Sequence, residues 1–552
     1  MPAGEPARTK EMTEAPIIIA GAGPVGMTLA LDLARRGIRS LVVERNATTT
    51  KHPKMDITNS RSMELFRAMG IADELRTAAV PPSHPFDVSW ITDFTGVELH
   101  RFRYPSVEEM YAKIRETNDG TQPLEPPMRV SQVVIEPVLR ALLERDARID
   151  LRFCTRLESL QHTDSGVTVV LRDMITEKTQ VVSCRYLVGC DGGGSQVRQE
   201  LGITLEGKPR VMERFMTHFR SPEKELLQRW GVSWHYQSAY GTLIAQNDED
   251  VWTLHSRFPE GEVGEVDPRA LLRRFIGKDI DAEILVSNPW TPHLLVAERY
   301  SQGRVFLAGD AAHQYIPTGG YGMNTGIGDA TNLSWKLAAV LHGFAGEKLL
   351  DSYDVERRPI GKRNCDAAER NNDVRRAIGS LYTDDLFAEG PLGDMARQKT
   401  SAEIRRLGNL ENEAWGIEHG YVYAGSPVVA EETDATFSTN PAIYEPTTIP
   451  GARLPSTFLP DGSALFDHLG PWLTLVCFTS LDSARHFETA AAAREIPLNV
   501  VEVWAPEIAP IYQAPLILVR PDQHVGWRGS EVADERAAGV ILDRLFGRAG
   551  YD

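Results

Sequence analysis

Short apolar runs alternate with a glycine turn and a helical pattern near the start of the chain. Residues 17–19 are β-branched, the run stops at Gly21, an apolar helical pattern extends from Val25 to Arg35, and a second apolar run covers 41–43. The order of strand, tight turn, helix and strand predicts a βαβ unit of a doubly wound sheet. The fold class predicted for this part of the chain is therefore α/β.

Further along, the pattern moves between helical periods, alternation and stretches with neither. Segments of period-two alternation predict an antiparallel ribbon, and aromatic-rich strands between 203 and 300 predict a mostly β layer. After 305–307, a glycine-rich loop leads into a long predicted helix that ends near Leu341. The other assignments are helices within 53–80 and over 133–144, loops or an insertion over 81–128, ribbon strands at 151–153, 167–171 and 181–188, and β-layer strands at 234–240 and 251–258.

An alternating α/β pattern returns in the last hundred residues. It follows a connector over 385–450 that is rich in Pro, Gly, Glu and Thr and has no clear periodicity. The pattern predicts strands at 472–478, 497–504, 515–519 and 524–528 and helices over 482–494 and 530–547. This segment is therefore expected to form a unit of its own.

Composition narrows the class of protein. The 552 residues suggest about three or four domains. With 59 Lys+Arg against 76 Asp+Glu, the formal charge is −17, which argues against nucleic acid or an anionic membrane as a partner. Five cysteines without paired spacing indicate a reducing, cytoplasmic compartment and no metal site. Residues 1–15 have no apolar segment and predict a disordered leader rather than a signal peptide.

The first candidate site is the run Gly21-Ala22-Gly23-Pro24-Val25-Gly26, directly after a predicted strand and at the start of a helix. Gly21 permits the tight turn, Gly23 lets the backbone approach a pyrophosphate, and Gly26 allows close helix packing. Glu44, at the end of the second strand, is placed to accept hydrogen bonds from ribose hydroxyls. A glycine-rich surface turn is the alternative, but strand, helix and acid together favour a dinucleotide site.

Two further glycine-containing runs follow apolar strands. One reads Cys190-Asp191-Gly192-Gly193-Gly194-Ser195, and the other begins Gly309-Asp310-Ala311-Ala312-His313 and continues Pro317-Thr318-Gly319-Gly320-Tyr321-Gly322-Met323-Asn324. Each run alone could be a surface turn. Their order and separation along the chain are what point to a shared site.

With these three motifs in order, residues 16–380 resemble the single-component FAD-dependent aromatic hydroxylases, a family that includes para-hydroxybenzoate hydroxylase and phenol hydroxylase. The resemblance implies that Gly21, Gly23, Gly26 and Glu44 hold the ADP half of FAD. It implies that Asp191 and Gly192 line the groove shared with the nicotinamide donor, that Asp310 binds the ribityl chain, and that Arg61 and Gln132 contact the phosphate and ribityl region. Arg45, Arg61 and Arg198 are candidates for local anion sites in this acidic chain.

The resemblance also implies a division into domains. The FAD-binding domain, Rossmann-like, would comprise 16–80, 129–202 and 301–384, and an inserted β-rich substrate domain 81–128 and 203–300. A connector over 385–445 would lead to a thioredoxin-like domain over 446–552. In place of CxxC this last domain has Cys477-Phe478-Thr479-Ser480, which excludes dithiol activity and leaves packing or dimerisation as its role.

The third motif has a physical interpretation beside this resemblance. A helix that starts near Gly320, Gly322, Met323 and Asn324 places free N–H groups and partial positive charge where the anionic edge of a reduced flavin would lie. Glycines there let the backbone lie against a flat ring, and Pro317 stiffens the wall over it. His313 is a candidate catalytic group, with a structural histidine and a proton relay both open.

Asp56 is the candidate substrate base. It lies five residues before Arg61, as the corresponding aspartate does in phenol hydroxylases, and burial could raise its pKa toward neutral pH. The alternatives are a helix cap or an ion pair with Lys54. The chain departs from the family nearby. Where phenol hydroxylases have an arginine and a tyrosine, it has Gln246 and the stretch 252–254, with His255, Tyr236 or Tyr240 as substitutes or as core residues.

The expected function is hydroxylation of a small aromatic, phenolic substrate with O2 and NADPH or NADH, by way of a flavin C4a-hydroperoxide. With no second GxGxxG, the nicotinamide nucleotide would bind transiently in a groove. Two alternatives remain: Baeyer–Villiger or epoxidising oxygenation of a polyketide-like substrate, and a non-catalytic FAD-fold binding protein. The partners are small molecules, without nucleic acid or membrane, and a homodimer is left open.

Overall fold

The computed structural model describes residues 14–257, 266–432 and 436–548. The strands are β1 (Glu14–Ala20), β2 (Ser40–Val43), β3 (Ile57–Thr58), β4 (Val88–Ile91), β5 (Glu98–Phe102), β6 (Met128–Arg129), β7 (Ile149–Arg152), β8 (Thr155–His162), β9 (Val167–Asp173), β10 (Thr179–Gly189), β11 (Leu205–Lys208), β12 (Arg214–Arg220), β13 (His235–Ser238), β14 (Gly241–Ala245), β15 (Val251–Arg257), β16 (Glu283–Trp290), β17 (Leu294–Ala297), β18 (Ser301–Gln302), β19 (Val305–Leu307), β20 (His313–Gln314), β21 (Leu473–Cys477), β22 (Leu498–Glu502), β23 (Leu516–Val519) and β24 (Val525–Gly529).

The α-helices follow the same order along the chain. They are α1 (Pro24–Arg35), α2 (Ser60–Ala68), α3 (Ala72–Thr77), α4 (Val107–Thr117), α5 (Gln132–Arg145), α6 (Gln196–Glu200), α7 (Lys224–Leu227), α8 (Pro268–Ile276), α9 (Tyr321–His342), α10 (Lys348–Gly379), α11 (Pro391–Leu407), α12 (Trp415–Glu418), α13 (Arg485–Ala492), α14 (Ala509–Tyr512) and α15 (Glu535–Leu545). No helix within the described ranges is both long and apolar enough for a membrane crossing.

We call the part of the chain that is built on a mainly parallel sheet of β1, β2, β7, β10 and β19 the first unit. Its strand order is β18-β19-β10-β1-β2-β7, in which β18 alone is antiparallel to its neighbour. Strand β9 pairs antiparallel with β10, and β8 pairs antiparallel with β9. Ile17, Ile18 and Ile19 are fully buried in a core that also includes side chains of α1 and of the ribbon β8–β9. The predicted βαβ start is confirmed. Two details of the prediction are wrong: β7 pairs parallel with β2 and is not part of the ribbon, and Glu14 and Ala15 belong to β1 rather than to a leader.

Residues 53–80 do not form one helix. They contain the short strand β3, which pairs with β6, and the two helices α2 and α3. The side chain of Asn59 caps α2 by accepting a hydrogen bond from the backbone of Ser62 at 2.9 Å, which fixes the start of that helix. The break matters for function because it leaves the segment around Asp56 extended beside the sheet.

The middle unit is built on a seven-stranded sheet of order β16-β12-β15-β14-β13-β4-β5. The segment 81–128, predicted as loops or an insertion, contributes β4 and β5 to this sheet and also holds α4. Ser106 and Glu109 form a capping box at the start of α4, a local signal that the sequence carries.

The remaining residues of the predicted leader, 1–13, lie outside the described ranges.

The C-terminal unit has four strands in the order β22-β21-β23-β24, of which β21 and β22 are parallel and the other pairs antiparallel. Helices α13 and α15 pack against each other beside it. The strands and helices predicted here are confirmed to within a few residues. The connector is not without structure: α11 lies within it, following the 32-residue helix α10.

A buried ion network joins the C-terminal unit to the first unit. Arg520 lies just after β23, and its guanidinium contacts both carboxylate oxygens of Glu356 on α10, at 2.6 and 2.8 Å. Lys336 of α9 donates to the same carboxylate at 2.7 Å. Arg520 also contacts Asp522, and the Asp522 carboxylate accepts from Asn332 at 3.0 Å. These side chains are excluded from solvent, so the two units share a polar interior.

Candidate functional site

The first glycine motif forms the turn between β1 and α1. Gly21 has a φ of +106°, and a Cβ there would lie 2.2 Å from the carbonyl oxygen of Cys190. A Cβ on Gly26 would lie 2.0 Å from the Gly21 oxygen. Around Gly23, in contrast, no heavy atom lies within 4 Å of such a Cβ. Gly21 and Gly26 are therefore required by packing, whereas Gly23 faces open space beside the uncapped start of α1.

We call the open space at the starts of α1 and α9 the cleft, and Glu44 lies beside its α1 end. Its Oε2 accepts a hydrogen bond from the backbone N–H of Ala22 at 3.0 Å, and its Oε1 accepts from Asn46. The carboxylate is thus held beside the glycine turn, with its position fixed by the backbone. Arg45, the next residue, is exposed at the rim.

The second motif follows β10 and starts α6. Asp191 accepts hydrogen bonds from the Ser195 hydroxyl at 2.5 Å and from the Val197 N–H at 3.1 Å. Burial raises the pKa of Asp191, although these donors oppose the shift. Gly192 has a φ of +81° and open space at its Cβ position. Asp191 therefore has a structural role at the start of α6, and its contact with a nucleotide stays a prediction.

At the third motif, α9 begins without a side-chain cap. Gly320 precedes it at a φ of +65°, and a Cβ there would lie 2.3 Å from Ile57. Pro317 is exposed, and its carbonyl accepts the N–H of Gly320 at 3.0 Å. Gly322 has open space at its Cβ position, and Met323 is partly exposed. The first N–H groups of this 22-residue helix are therefore available to an anionic group.

Asn324 positions α9 rather than offering its side chain to a ligand. Its amide donates to the carbonyls of Ile57 and Gly320, and its Oδ1 accepts from Asn59 and Ser62. Both ends of the side chain are thus taken by the protein. Only the backbone of Asn324 remains for the predicted cofactor contact, because its side chain holds the start of α9 against β3 and α2.

Asp310 and Gln132 both have side chains that solvent can reach. The side chain of Asp310 is exposed to solvent, but many protein atoms surround it, as expected of a side chain in an open cleft. These atoms partly desolvate the carboxyl and raise its pKa, although His313 and Lys54 act to lower it. Gln132, partly exposed at the start of α5, donates from Nε2 to Glu136 at 2.7 Å. Both side chains stay candidates for the ribityl and phosphate region.

Arg61 does not lie where its predicted flavin contact requires, and His313 makes the contacts of a structural histidine, one of the two roles left open for it. The guanidinium of Arg61 is buried against the C-terminal unit, where it donates to Gln523 and to the carbonyl of Asp522, because α2 turns this side chain away from the cleft. His313 has no exposed surface, and its Nε2 lies 2.9 Å from the Asp329 carboxylate. We therefore assign structural roles to both, in place of flavin contact for Arg61 and catalysis for His313.

Asp56 lies where the first and middle units meet. Its Oδ2 accepts a hydrogen bond from Trp234 Nε1 at 2.7 Å and lies 3.4 Å from His235 Nε2. The side chain is 22% exposed, and Oδ1 has no hydrogen-bond partner within the described ranges. Its backbone carbonyl accepts from Val130, which ties this segment to β6. Asp56 therefore presents one free carboxylate oxygen at the cleft.

The electrostatics of Asp56 differ from the prediction. Burial acts to raise its pKa, but His235, Trp234 and His255 outweigh it, and the pKa of Asp56 is lowered below its ordinary value. The carboxyl is therefore ionised at neutral pH. His255 is partly buried on the same face of the middle sheet, and burial together with nearby arginines lowers its pKa to about 4. The two alternatives for Asp56 were a helix cap and an ion pair with Lys54. Its side chain instead contacts Trp234 and His235, and Asn59 caps the helix that follows.

Sequence reasoning missed Trp234 and His235. They lie 178 and 179 residues from Asp56 along the chain. The two segments are held together by β6, which pairs with β3 next to Asp56 and whose Arg129 donates to the carbonyls of residues 232 and 233. Of the suggested substitutes for the family tyrosine, Tyr236 is buried in the core and donates to a backbone carbonyl, while His255 faces the site. The only local sign of this site in the sequence was a tryptophan followed by a histidine where β13 begins.

The cleft fits FAD. The open space at Gly23 and Gly322, two uncapped helix N-termini and the exposed Asp310 supply what a pyrophosphate, a flat ring and a ribityl chain require. A profile of the FAD binding domain matches residues 14–368, and a profile of the C-terminal domain of aromatic-ring hydroxylases matches residues 447–549. The chain belongs to the FAD-dependent aromatic-ring hydroxylases.

Several relatives of this hydroxylase match over nearly its whole length. The FAD-dependent monooxygenase apdD of Emericella nidulans is 36% identical over 583 residues, covering 99% of this chain and 92% of that protein. The 4-methyl-5-nitrocatechol 5-monooxygenase of a Burkholderia species is 30% identical over 582 residues and 98% of each chain. A structure described as chromopyrrolic acid-soaked RebC with bound 7-carboxy-K252c has a TM-score of 0.87 at 36% identity, covering 97% of this chain and 99% of that one.

These comparisons confirm the resemblance, the α/β fold class and the enzyme class. The protein is an FAD-dependent monooxygenase of the aromatic hydroxylase type. A non-catalytic FAD-fold protein is thereby set aside. Among the described residues, no group of three or more His, Cys, Asp and Glu side chains is arranged to hold a metal ion.

Proposed function

We propose that this hydroxylase uses NAD(P)H and O2 to hydroxylate a phenolic ring that binds at Asp56, by the flavin mechanism that the resemblance implies. Bound FAD would supply the reduction of O2 and the oxygen transfer. In the overall reaction the phenol, O2, NAD(P)H and a proton give a dihydroxylated ring, water and NAD(P)+. The protein would bind the ring, exclude water and handle the phenolic proton.

One observation carries the proposal: the free Oδ1 of an ionised Asp56, next to the strand β3 that packs against the start of α9. A carboxylate there accepts a hydrogen bond from a phenol and draws its proton away, which raises electron density on the ring. Trp234 and His235 hold Oδ2 and so orient Oδ1. His235 beside the carboxylate offers a second place for the proton.

The breadth of named relatives supports an aromatic substrate without fixing its size. They range from a nitrocatechol monooxygenase to RebC with its bound 7-carboxy-K252c. A panel of substituted phenols and multi-ring phenols, scored by stimulation of NAD(P)H oxidation and by product mass, would identify the class. Lactones or epoxides as the products would favour the oxygenation of a polyketide-like substrate instead.

The Asp56→Asn variant tests the role of the carboxylate. It keeps the side-chain shape and removes the charge, so FAD binding should be unchanged while hydroxylation slows by about a hundredfold or more. The measurement is hydroxylated product per NAD(P)H oxidised, and Asp164→Asn, at an exposed turn, is the matched control. Unchanged product formation per NAD(P)H in Asp56→Asn would remove Asp56 from the mechanism.

A further inference from the structure

Two arginines lie side by side on the middle sheet, and no acidic residue of the described ranges pairs with either of them. Arg214 on β12 and Arg257 on β15 are directly opposite each other in the antiparallel register. Within residues 14–257, 266–432 and 436–548, neither forms an ion pair, whereas Arg220 at the other end of β12 pairs with Asp250 and Glu283. Like charges in this relation destabilise a sheet. A pair of this kind is retained more readily where an anion binds to it.

Both arginines are partly buried. Arg257 packs against α10, since a Cβ on Gly379 would lie 2.6 Å from its Nη1. The third arginine nearby, Arg375, is already neutralised by Glu411 at 2.7 Å. Burial, with further lowering by the neighbouring arginines, moves the pKa of Arg214 to about 9 and that of Arg257 to about 10. The positive charge is therefore incompletely solvated and incompletely paired.

The pair shares a face of the sheet with the Asp56 site. Because side chains alternate along a strand, Arg257 and His255 point to one face, and the register carries that face through Thr242 and Gln237 to His235. Trp290 lies opposite Arg214 on β16, with its ring 5.8 Å from that of His255. The arginine pair, Trp290 and His255 thus lie on the same face of the sheet as His235, and Gln237 and Thr242 on that face are covered by Glu411 and Arg375.

The spacing between the two ends follows from the register. His235 pairs with Ile244, which pairs with Thr253, four residues before Arg257. Four residues along a strand and two strand spacings separate the Cα atoms of His235 and Arg257 by about 17 Å. The side chains at both ends lie within this span, and a substrate that reaches both ends has to bridge the distance that they leave.

We propose that Arg214 and Arg257 form an anion subsite for a carboxylate at the far end of an extended, multi-ring phenolic substrate. The proposal rests on the proposed function, since it takes the phenolic end to lie at Asp56. Two planar guanidinium groups match the two oxygens of a carboxylate, and the bound anion would neutralise the charge that the sheet itself leaves unpaired. The pair would thereby select acidic substrates over neutral ones of the same shape.

A matched pair of probes tests the subsite: 4′-hydroxybiphenyl-4-carboxylic acid and its carboxamide, which differ in charge but little in shape. Dissociation constants are measured on the holoenzyme from the perturbation of the flavin spectrum. The wild type should bind the acid about ten- to a hundredfold more tightly than the amide. In Arg257→Leu this preference should fall to within twofold with the amide constant unchanged, whereas Arg257→Lys should keep part of it.

Arg220→Leu is the control, since it removes an arginine from the same strand at an exposed position, and it should keep the full preference. Equal constants for acid and amide in the wild type, or no binding of either probe, would overturn the subsite. So would a preference that survives in the folded double variant Arg214→Leu/Arg257→Leu, or variants that lose affinity only for NADPH. Tight binding of the acid without hydroxylated product would refute the proposed function and leave the subsite standing.

Discussion

Alanine at Gly23 and alanine at Gly26 add the same methyl group to one turn, yet the structure predicts opposite consequences. At Gly26 the new carbon would lie 2.0 Å from the Gly21 oxygen and 3.3 Å from the Cβ of Cys190. At Gly23 it would meet nothing within 4 Å, and the φ of −77° suits any L-residue. Gly26→Ala should therefore disturb the fold, and Gly23→Ala only the binding of a ligand in the open space.

The sizes of the two effects follow from these distances. Overpacking of a tight interior costs about 1–3 kcal/mol, and a backbone clash of this kind belongs at the upper end. Since each kcal/mol shifts the melting temperature of a domain of this size by about 2–4 °C, Gly26→Ala should lower it by several degrees. Gly23→Ala should leave apoprotein stability unchanged or raise it by up to about 1 kcal/mol. Its FAD affinity should fall about ten- to a hundredfold, because a displaced phosphate loses a charge-assisted hydrogen bond.

Two measurements on the same samples separate the effects. Thermal unfolding of the apoproteins, followed by circular dichroism, reports the fold, and titration of flavin fluorescence reports the FAD affinity. Each variant is the control for the other. If Gly23→Ala binds FAD as tightly as the wild type, or destabilises the apoprotein as much as Gly26→Ala does, the assignment of the open space to the cofactor is wrong.

Three further predictions concern buried charges. Although burial opposes ionisation, Arg453 and His419 lower the pKa of Glu64 from 4.5 to about 2. Its stabilisation of the fold, about 3 kcal/mol, should be complete above about pH 4.5 and lost as the pH falls toward 2. Urea unfolding at pH 6 and pH 3 should therefore show a smaller loss of stability in Glu64→Gln than in the wild type. Glu356→Ala should cost about 3–5 kcal/mol by urea unfolding because it strands buried cations, against at most about 1 kcal/mol for the surface pair of Glu403. His313→Gln should lower stability by about 1–3 kcal/mol while turnover per bound flavin is kept, and lost turnover at normal stability would restore a catalytic role.

The glycine motifs could be predicted from sequence because each is local. Gly21 and Gly26 are required by contacts within one turn and the strand beside it, and the same is true of the α9 start. Strand and helix periods in the C-terminal unit are equally local and were correct to within a few residues. The error at Arg61 has a different origin, because only the packing of the C-terminal unit decides which way that side chain turns.

Contacts across units could not be predicted in this way. Asp56 meets Trp234 and His235 from another unit of the fold, and the facing of Arg214 and Arg257 depends on the register of β12 and β15. Nothing in the period of either strand fixes its partner. The sign of the Asp56 pKa shift was wrong for the same reason: burial could be foreseen from sequence, but its hydrogen-bond donors could not.

The ion network between the C-terminal and first units sets a rule for engineering this enzyme. A chain cut near residue 445 would remove Arg453 from Glu64 and Arg520 from Glu356. These two buried carboxylates would keep Arg61 and Lys336 as counter-charges but would lose their bidentate arginine partners. Exchange of the C-terminal unit between relatives would meet the same obstacle unless both sides of the network were transferred together. The C-terminal unit, which has no CxxC pair, is thus inseparable from the FAD-binding unit. The smallest portion that can be expressed or recombined contains both units.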